Sequence, residues 1–200
     1  TMKLFILLGM LIICYSVDFV TNEIIKKVGE KYGFFAERRF KNLQQLILDL
    51  QNKSENEIVR KVNDFFNKVS YASDKDNYGV IDYWATPFEF LSRNEGDCED
   101  YAIAKYLLLK HLGINSNKMY LTYVNLIHYD ASHMVLSYFE TQNSVPLILD
   151  NFEEELLPAT QRTDLKPVHY FNPEILKDGM KTSSHKKWDQ LIKNMMEKKI

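Results

Sequence analysis

The stretch NEGDCEDYAIAKYLLLKHLG, residues 94–113, decides how the rest of the chain is interpreted. A turn at Asn94-Glu95-Gly96 leads into a predicted helix that begins at Cys98 and ends at Gly113, because glycine is favoured just beyond a helix. Apolar residues recur at helical spacing along this segment: Ala102, Ile103, Tyr106, Leu107 and Leu112. The start of the helix is different, because three carboxylates surround one thiol there, which is not a core environment.

Cys98 is a candidate nucleophile. A thiol at a helix N-terminus faces free N–H groups and the positive end of the helix dipole, and both favour the thiolate. Asp97, Glu99 and Asp100 would oppose this by raising the thiol pKa. A divalent cation would neutralise them, and oxygen ligands favour Ca²⁺ over Mg²⁺. In the alternative interpretation, the carboxylates complement the helix N-terminus and stay solvated.

A nucleophilic thiol needs a base and a group that orients the base. Of the five histidines, His133 heads the clearest predicted strand, and Asp150 ends the strand that follows. Adjacent antiparallel strands would place these two side chains together at one edge, and the thiol would pack against that edge. The alternative role for His133 is a hydrogen-bonded residue at a strand edge.

Helical patterns precede strand patterns along the chain. Residues 21–50 have helical spacing, and Ser54 with Glu57 forms a capping-box pattern that opens a second helix to about Val69. Thr86-Pro87 predicts a further helix start. Strands are predicted at 119–124, 133–139 and 146–150, so the fold class is α+β with an antiparallel sheet. Residues 73–79 are predicted to form a polar loop, and a calcium loop is not favoured because the closing Glu is missing.

The composition indicates one domain in a chain of 200 residues with a net charge of −2. This balance argues against a nucleic-acid-binding protein. The charged start and apolar run of residues 1–16 predict a signal peptide, with an uncleaved anchor or lipidation of Cys14 as alternatives. We therefore expect export, a main domain at 17–173 and a Lys-rich helical extension at 174–200.

Four blocks of the sequence resemble the bacterial transglutaminase-like cysteine proteinases, in particular the type that releases biofilm adhesins. The blocks are WATPFEFL (84–91), GDCEDYAIAKY (96–106), HMVL (133–136) and LDN (149–151). The resemblance runs from about residue 80 to about residue 172. It implies a papain/transglutaminase-like cysteine proteinase fold, with N-terminal helices packed on an antiparallel sheet.

The resemblance also implies a catalytic triad in which Cys98 is the nucleophile, His133 the base and Asp150 the orienting carboxylate. It implies dependence on Ca²⁺, with Asp97 and Glu99 as ligands and Asp100 as an addition. The implied setting is the periplasm, and the implied substrate is a large surface adhesin cut in its N-terminal region. The implied inhibitor is the periplasmic domain of an inner-membrane cyclic di-GMP receptor.

Two other functions stay open at this point. The fold could serve as a non-catalytic module that binds a partner through Trp84, the Pro158 region or the basic tail. Alternatively, the site could transfer the acyl group to an amine, as a transglutaminase does. In the protease interpretation, the Cys98 backbone N–H is expected to bind the oxyanion, and the Trp84 indole N–H is the candidate second donor.

Overall fold

The computed structural model describes residues 19–175 and 182–197, so the predicted signal peptide at 1–16, with Cys14, lies outside the described residues. Within these ranges the chain forms seven α-helices. They are Asn22–Tyr32 (α1), Phe34–Asp49 (α2), Glu55–Phe66 (α3), Asp74–Tyr78 (α4), Pro87–Arg93 (α5), Cys98–His111 (α6) and Ser183–Glu197 (α7).

The same ranges contain seven strands. They are Ser70–Tyr71 (β1), Glu95–Gly96 (β2), Met119–Leu126 (β3), Ala131–Tyr138 (β4), Leu147–Leu149 (β5), Leu157–Pro158 (β6) and Leu165–Phe171 (β7). The main sheet has the order β6-β5-β4-β3-β7, and all its pairs are antiparallel. The pair β1-β2 is parallel and places Gly96 beside Tyr71 at the entrance to α6. The predicted arrangement of helices with an antiparallel sheet is therefore confirmed.

Helix α6 forms the centre of the core. Most of its side chains are buried, including Ile103, Tyr106 and Leu108, because it packs against β4 on one side and α3 and α5 on others. A helix with apolar residues all around its surface is stable only when it is covered on every side. This central position places the N-terminus of α6, and with it Cys98, against the sheet.

Local differences from the predicted elements have physical causes. The helical stretch at 21–50 is divided by Gly33, whose φ of 86° is a left-handed backbone conformation that breaks the helix. The predicted loop at 73–79 contains helix α4, which Ser73 caps by accepting the N–H of Asp76. Strand β7 was not predicted, because Pro167 interrupts its pattern and is tolerated only at a sheet edge or bulge. The strand lies at the edge of the sheet, with a register shift opposite Tyr123 and Val124.

The C-terminal extension contributes to the core. In α7, Trp188 and Leu191 are buried, and the Trp188 ring meets Tyr106 of α6 edge-on at 5.3 Å between centroids. Among the described helices, none combines the length and apolar character that crossing a bilayer requires.

Candidate active site

Cys98 is the first residue of α6, and a tight approach of the backbone places it there. Gly96 is buried, and a Cβ at this position would lie 2.5 Å from the Phe90 ring and 2.6 Å from Asp100 Oδ2. Any side chain larger than hydrogen would therefore push the Phe90 ring and the Asp100 carboxylate from their positions. The N-cap residue Asp97 makes no side-chain capping bond, so its carboxylate does not serve to cap the helix.

His133 and Asp150 are in direct contact, as the strand order predicted. The distance from His133 Nε2 to Asp150 Oδ1 is 2.7 Å, and the two side chains are 7% and 0% exposed. They meet because β4 and β5 are neighbours, with Leu136 opposite Leu149. The contact uses Nε2, which leaves Nδ1 as the nitrogen available to a second group.

The Cys98 sulfur lies against β4 next to His133. The backbone N–H of Met134, the residue after His133, donates to the sulfur. Among the described residues, the side-chain partner of the thiol is Glu99, with 3.1 Å between Sγ and Oε2. The structure thus brings the thiol to the strand that carries His133 without a thiol–imidazole hydrogen bond.

Asp150 is held by residues to which the sequence analysis gave no role in the site. Its main-chain carbonyl accepts bonds from Lys105 Nζ at 3.0 Å and from Asn67 Nδ2 at 2.8 Å. Its Oδ2 accepts a bond from Arg162 Nη2 at 2.8 Å. Burial alone would raise the pKa of Asp150, but His133, the Phe152 N–H and Arg162 outweigh it and lower the pKa to about 2. Asp150 is therefore ionised across the neutral pH range.

An acidic cluster lies beside the thiol, and two of its members, Asp74 and Asp82, were not predicted. Carboxylate oxygens of Asp74, Asp97 and Asp100 lie within 4.8 Å of one another, and so do those of Asp74, Asp82 and Glu99. The three predicted ligands thus fall in two overlapping groups that share Asp74. Asp74 belongs to α4, the segment in which a calcium loop was not favoured, so that rejection hid a residue of the cluster.

The electrostatics of the cluster are unfavourable without a counter-charge. Burial, followed by the charges of Glu99, Asp100 and Asp74, raises the pKa of Asp97 to about 9. Burial also raises the pKa of Asp100 well above its usual range and that of Asp74 to about 6. Burial, then the Glu99 charge, raises the pKa of the Cys98 thiol, so these surroundings favour the neutral thiol.

The residues of the cluster fit a bound cation. Within the described chain, Asp74 Oδ1, Asp97 Oδ1 and Asp100 Oδ2 are buried and have no hydrogen-bond partner. Buried carboxylate oxygens are normally paired, so three unpaired ones at one point indicate a missing partner of positive charge. The second oxygen of Asp100 is already used, since Oδ1 accepts the Ala85 N–H at 2.8 Å. A set made only of oxygen ligands is the kind that Ca²⁺ prefers.

Trp84 and the Pro158 region occupy different surroundings. Trp84 is 5% exposed, its ring stacks on Phe171 at 6.2 Å, and Lys187 lies over it. This burial leaves little of the indole surface for docking a partner. Pro158 lies in β6 at the edge of the sheet and is partly exposed.

The comparison with protein families agrees with this geometry. Residues 36–170 match the family described as bacterial transglutaminase-like cysteine proteinase, BTLCP. The match covers α2 to β7 and therefore includes every candidate site residue. No curated protein sequence matches the chain.

Solved structures of Legionella pneumophila LapG are similar to this chain. One is 40% identical with a TM-score of 0.75, and it covers 86% of this chain and 96% of the other. The EGTA-treated form is 38% identical with a TM-score of 0.74, covering 86% and 96%. The calcium-bound form is 40% identical with a TM-score of 0.73, covering 86% and 98%. The predicted resemblance and the transglutaminase-like cysteine proteinase fold are thereby confirmed.

Proposed function

Because the chain belongs to the bacterial transglutaminase-like cysteine proteinases, we propose that it is a calcium-dependent endopeptidase with Cys98, His133 and Asp150 as its triad. The observation that carries the proposal is the 2.7 Å contact of His133 with Asp150 on the strand that receives the Cys98 sulfur. A nucleophile, a base and an orienting carboxylate are the parts that acyl transfer requires.

The proton movements follow from the nitrogen that His133 uses. Nε2–H donates to the ionised Asp150, which leaves Nδ1 unprotonated and able to act as the base. Nδ1 takes the proton from the Cys98 thiol as the sulfur attacks the scissile carbonyl. It returns the proton to the leaving amine, and water then hydrolyses the thioester by the same route. Asp150 keeps the tautomer fixed and stabilises the imidazolium.

The developing oxyanion needs donors near the sulfur. The backbone N–H of Cys98 belongs to the first turn of α6, where no side chain caps the helix. An N–H at a helix N-terminus is already oriented toward negative charge, so it can stabilise the oxyanion without reorganisation. The Trp84 indole as second donor stays a prediction.

Calcium binding is supported by the acidic cluster and by the calcium-bound LapG structure. We assign Asp74, Asp97 and Asp100 to the cation, with Glu99 and Asp82 at its border. A bound Ca²⁺ supplies positive charge that offsets the carboxylates around the thiol. With the cation bound, Glu99 and Asp97 would raise the thiol pKa less, which would favour the thiolate of Cys98.

We further propose export to the periplasm, with a large surface adhesin as substrate, so that cleavage in its N-terminal region regulates biofilm attachment. The proposed inhibitor is the periplasmic domain of an inner-membrane cyclic di-GMP receptor. Support comes from the family and from the 40% identity to LapG over nearly the whole length of both chains.

The test is mass spectrometry of digests of the N-terminal regions of candidate adhesins. Parent protein, Cys98→Ala and His133→Gln are each incubated with calcium or with EGTA. We expect two fragments from the parent with calcium, and intact substrate in the other reactions. Cleavage by Cys98→Ala would refute the assigned nucleophile, and undiminished cleavage in EGTA would refute the calcium requirement.

The same digests, together with labelling of the Cys98 thiol, separate the two alternative functions. An adduct of substrate with an added amine, instead of two fragments, would identify acyl transfer. A partner-binding module would leave the substrate intact, and its Cys98 would react no faster with iodoacetamide than an ordinary thiol does.

A further inference from the structure

Both oxygens of the Asp150 carboxylate are bound, and together they have three partners. Oδ1 accepts a hydrogen bond from His133 Nε2 at 2.7 Å and another from the Phe152 N–H at 3.0 Å. Oδ2 accepts the bond from Arg162 Nη2 at 2.8 Å. With both oxygens bound, the plane of the carboxylate is fixed, and Oδ1 cannot rotate away from the imidazole.

Arg162 is itself rigid. Its Nε donates to Asp164 Oδ1 at 3.0 Å, and its Nη2 donates to Asp164 Oδ2 at 2.7 Å. This two-pronged contact holds the plane of the guanidinium, and the side chain is only 2% exposed. Arg162 is therefore a fixed donor aimed at Asp150, unlike a flexible surface cation.

The charges also favour this arrangement. The resting group of Arg162, Asp150 and Asp164 carries one positive and two negative charges, with neutral His133 beside it. When His133 takes a proton, the group becomes electrically neutral. Without Arg162, the buried Asp150 carboxylate would lose its ion-pair partner, and its Oδ2 would be left without a hydrogen bond.

A cavity on the outer face of the sheet reaches Arg162. It has a volume of about 460 Å³, and Val124, Val135 and Ile148 line it together with Arg162. In the described part of the chain, Nη1 of Arg162 is buried without a hydrogen-bond partner. Truncation of Arg162 would therefore join the space of the lost side chain to a cavity that solutes can enter.

We propose that Arg162 is a positioning residue that fixes the Asp150 carboxylate against His133, and that the outer cavity gives small cations access to this position. The inference rests on the proposed function, since it assigns a role within the same triad. The side-chain hydrogen bonds of Arg162 go to Asp150 and Asp164, so its proposed effect on the triad passes through Asp150.

The test is chemical rescue of Arg162→Ala by guanidinium, with cleavage as the first readout. We expect kcat to fall about 10- to 100-fold with little change in KM, since misplacing a catalytic group by about 1 Å costs this much. Guanidinium chloride at about 50 mM, far below the molar range that unfolds proteins, should restore most of the loss. Arg162→Lys keeps the charge but not the fork of donors, so a partial loss is expected.

Arg39→Ala is the matched control. Arg39 is also partly buried, and it donates to the carbonyls of Leu91 at 2.8 Å and Ser92 at 2.7 Å, away from the triad. We expect no selective fall in kcat and no guanidinium response in this variant. Equal behaviour of the two variants would overturn the proposal, because the effect would then be general destabilisation.

A second readout does not require any cleavage. The imidazole N–H of His133, assigned by its loss in His133→Gln, is followed by ¹⁵N NMR. We expect this signal to move in Arg162→Ala and to return with guanidinium. An unchanged signal would overturn the inference even in an active enzyme. If the parent cleaves nothing, the proposed function fails while this readout still decides the role of Arg162.

Discussion

Lys105 offers the most quantitative prediction about this fold. Its side chain is fully buried in the middle of α6, and its Nζ donates to the Asp150 carbonyl at 3.0 Å. Burial lowers the pKa of Lys105 to about 7, while the charges of Asp150 and Asp64 oppose the shift. The substitution Lys105→Met removes the titrating group and keeps a side chain of similar length.

The sign of the effect follows from proton binding. Between pH 7 and 10.5 the unfolded chain keeps the Lys105 proton and the folded protein releases it, so stability rises with pH. A pKa lowered from 10.5 to about 7 changes the free energy of unfolding by about 5 kcal/mol between a pH well below 7 and a pH well above 10.5. This follows from 1.36 kcal/mol for each pKa unit. Between pH 6 and pH 9 about 3 kcal/mol of this stability is recovered.

The assay is urea unfolding of the parent and Lys105→Met at pH 6, 7.5 and 9. We expect the free energy of unfolding of the parent, relative to the variant, to increase by about 3 kcal/mol over this range, or about 6–12 °C in Tm. Lys110→Met is the control, since Lys110 lies on the same helix with its side chain 47% exposed. A difference that stays flat with pH would refute the buried, shifted lysine.

The remaining predictions concern the acidic cluster and the turns beside it. Asp74→Asn should weaken calcium binding at least 10-fold in calorimetry, because it removes the charge of a ligand. Asp76→Asn, on the exposed side of α4, should leave the calcium affinity unchanged. Equal calcium affinities of the two variants would contradict the assignment. Gly96→Ala should destabilise the protein by about 1–3 kcal/mol in urea unfolding, because the new methyl meets the Phe90 ring, and parent stability would contradict the close approach. Thr86→Ala should cost about 1 kcal/mol in the same assay by removing the capping box of α5, and no change would show that the cap is dispensable.

Sequence patterns predict the parts of the site that lie at element boundaries. Local signals at these boundaries located Cys98 at the start of a helix. They also located His133 and Asp150 on successive strands. Their contact followed from one topological assumption, that the two strands are neighbours, and the sheet order confirms it.

The residues that the sequence analysis missed depend on long-range packing. Asp74 was not predicted because the calcium loop at 73–79 was rejected for its missing closing Glu, whereas this cluster draws its ligands from separate segments. Arg162 lies in an irregular turn, where no periodicity indicates burial. Lys105 did carry a signal, since a single charge in the middle of an apolar helix is expected to have a buried partner.

The anchoring of Asp150 has a consequence for how the protein opens and closes. One residue receives hydrogen bonds from Asn67, Lys105 and Arg162 as well as from His133, so segments almost a hundred positions apart in the chain share a single junction. Local fluctuations that release one of these segments must loosen the others, and the amides around the junction will exchange with solvent as one cooperative unit. The arrangement of His133 and Asp150 therefore depends on all of these segments being in place, and a fragment that ends before residue 162 lacks the Arg162 contact with Asp150.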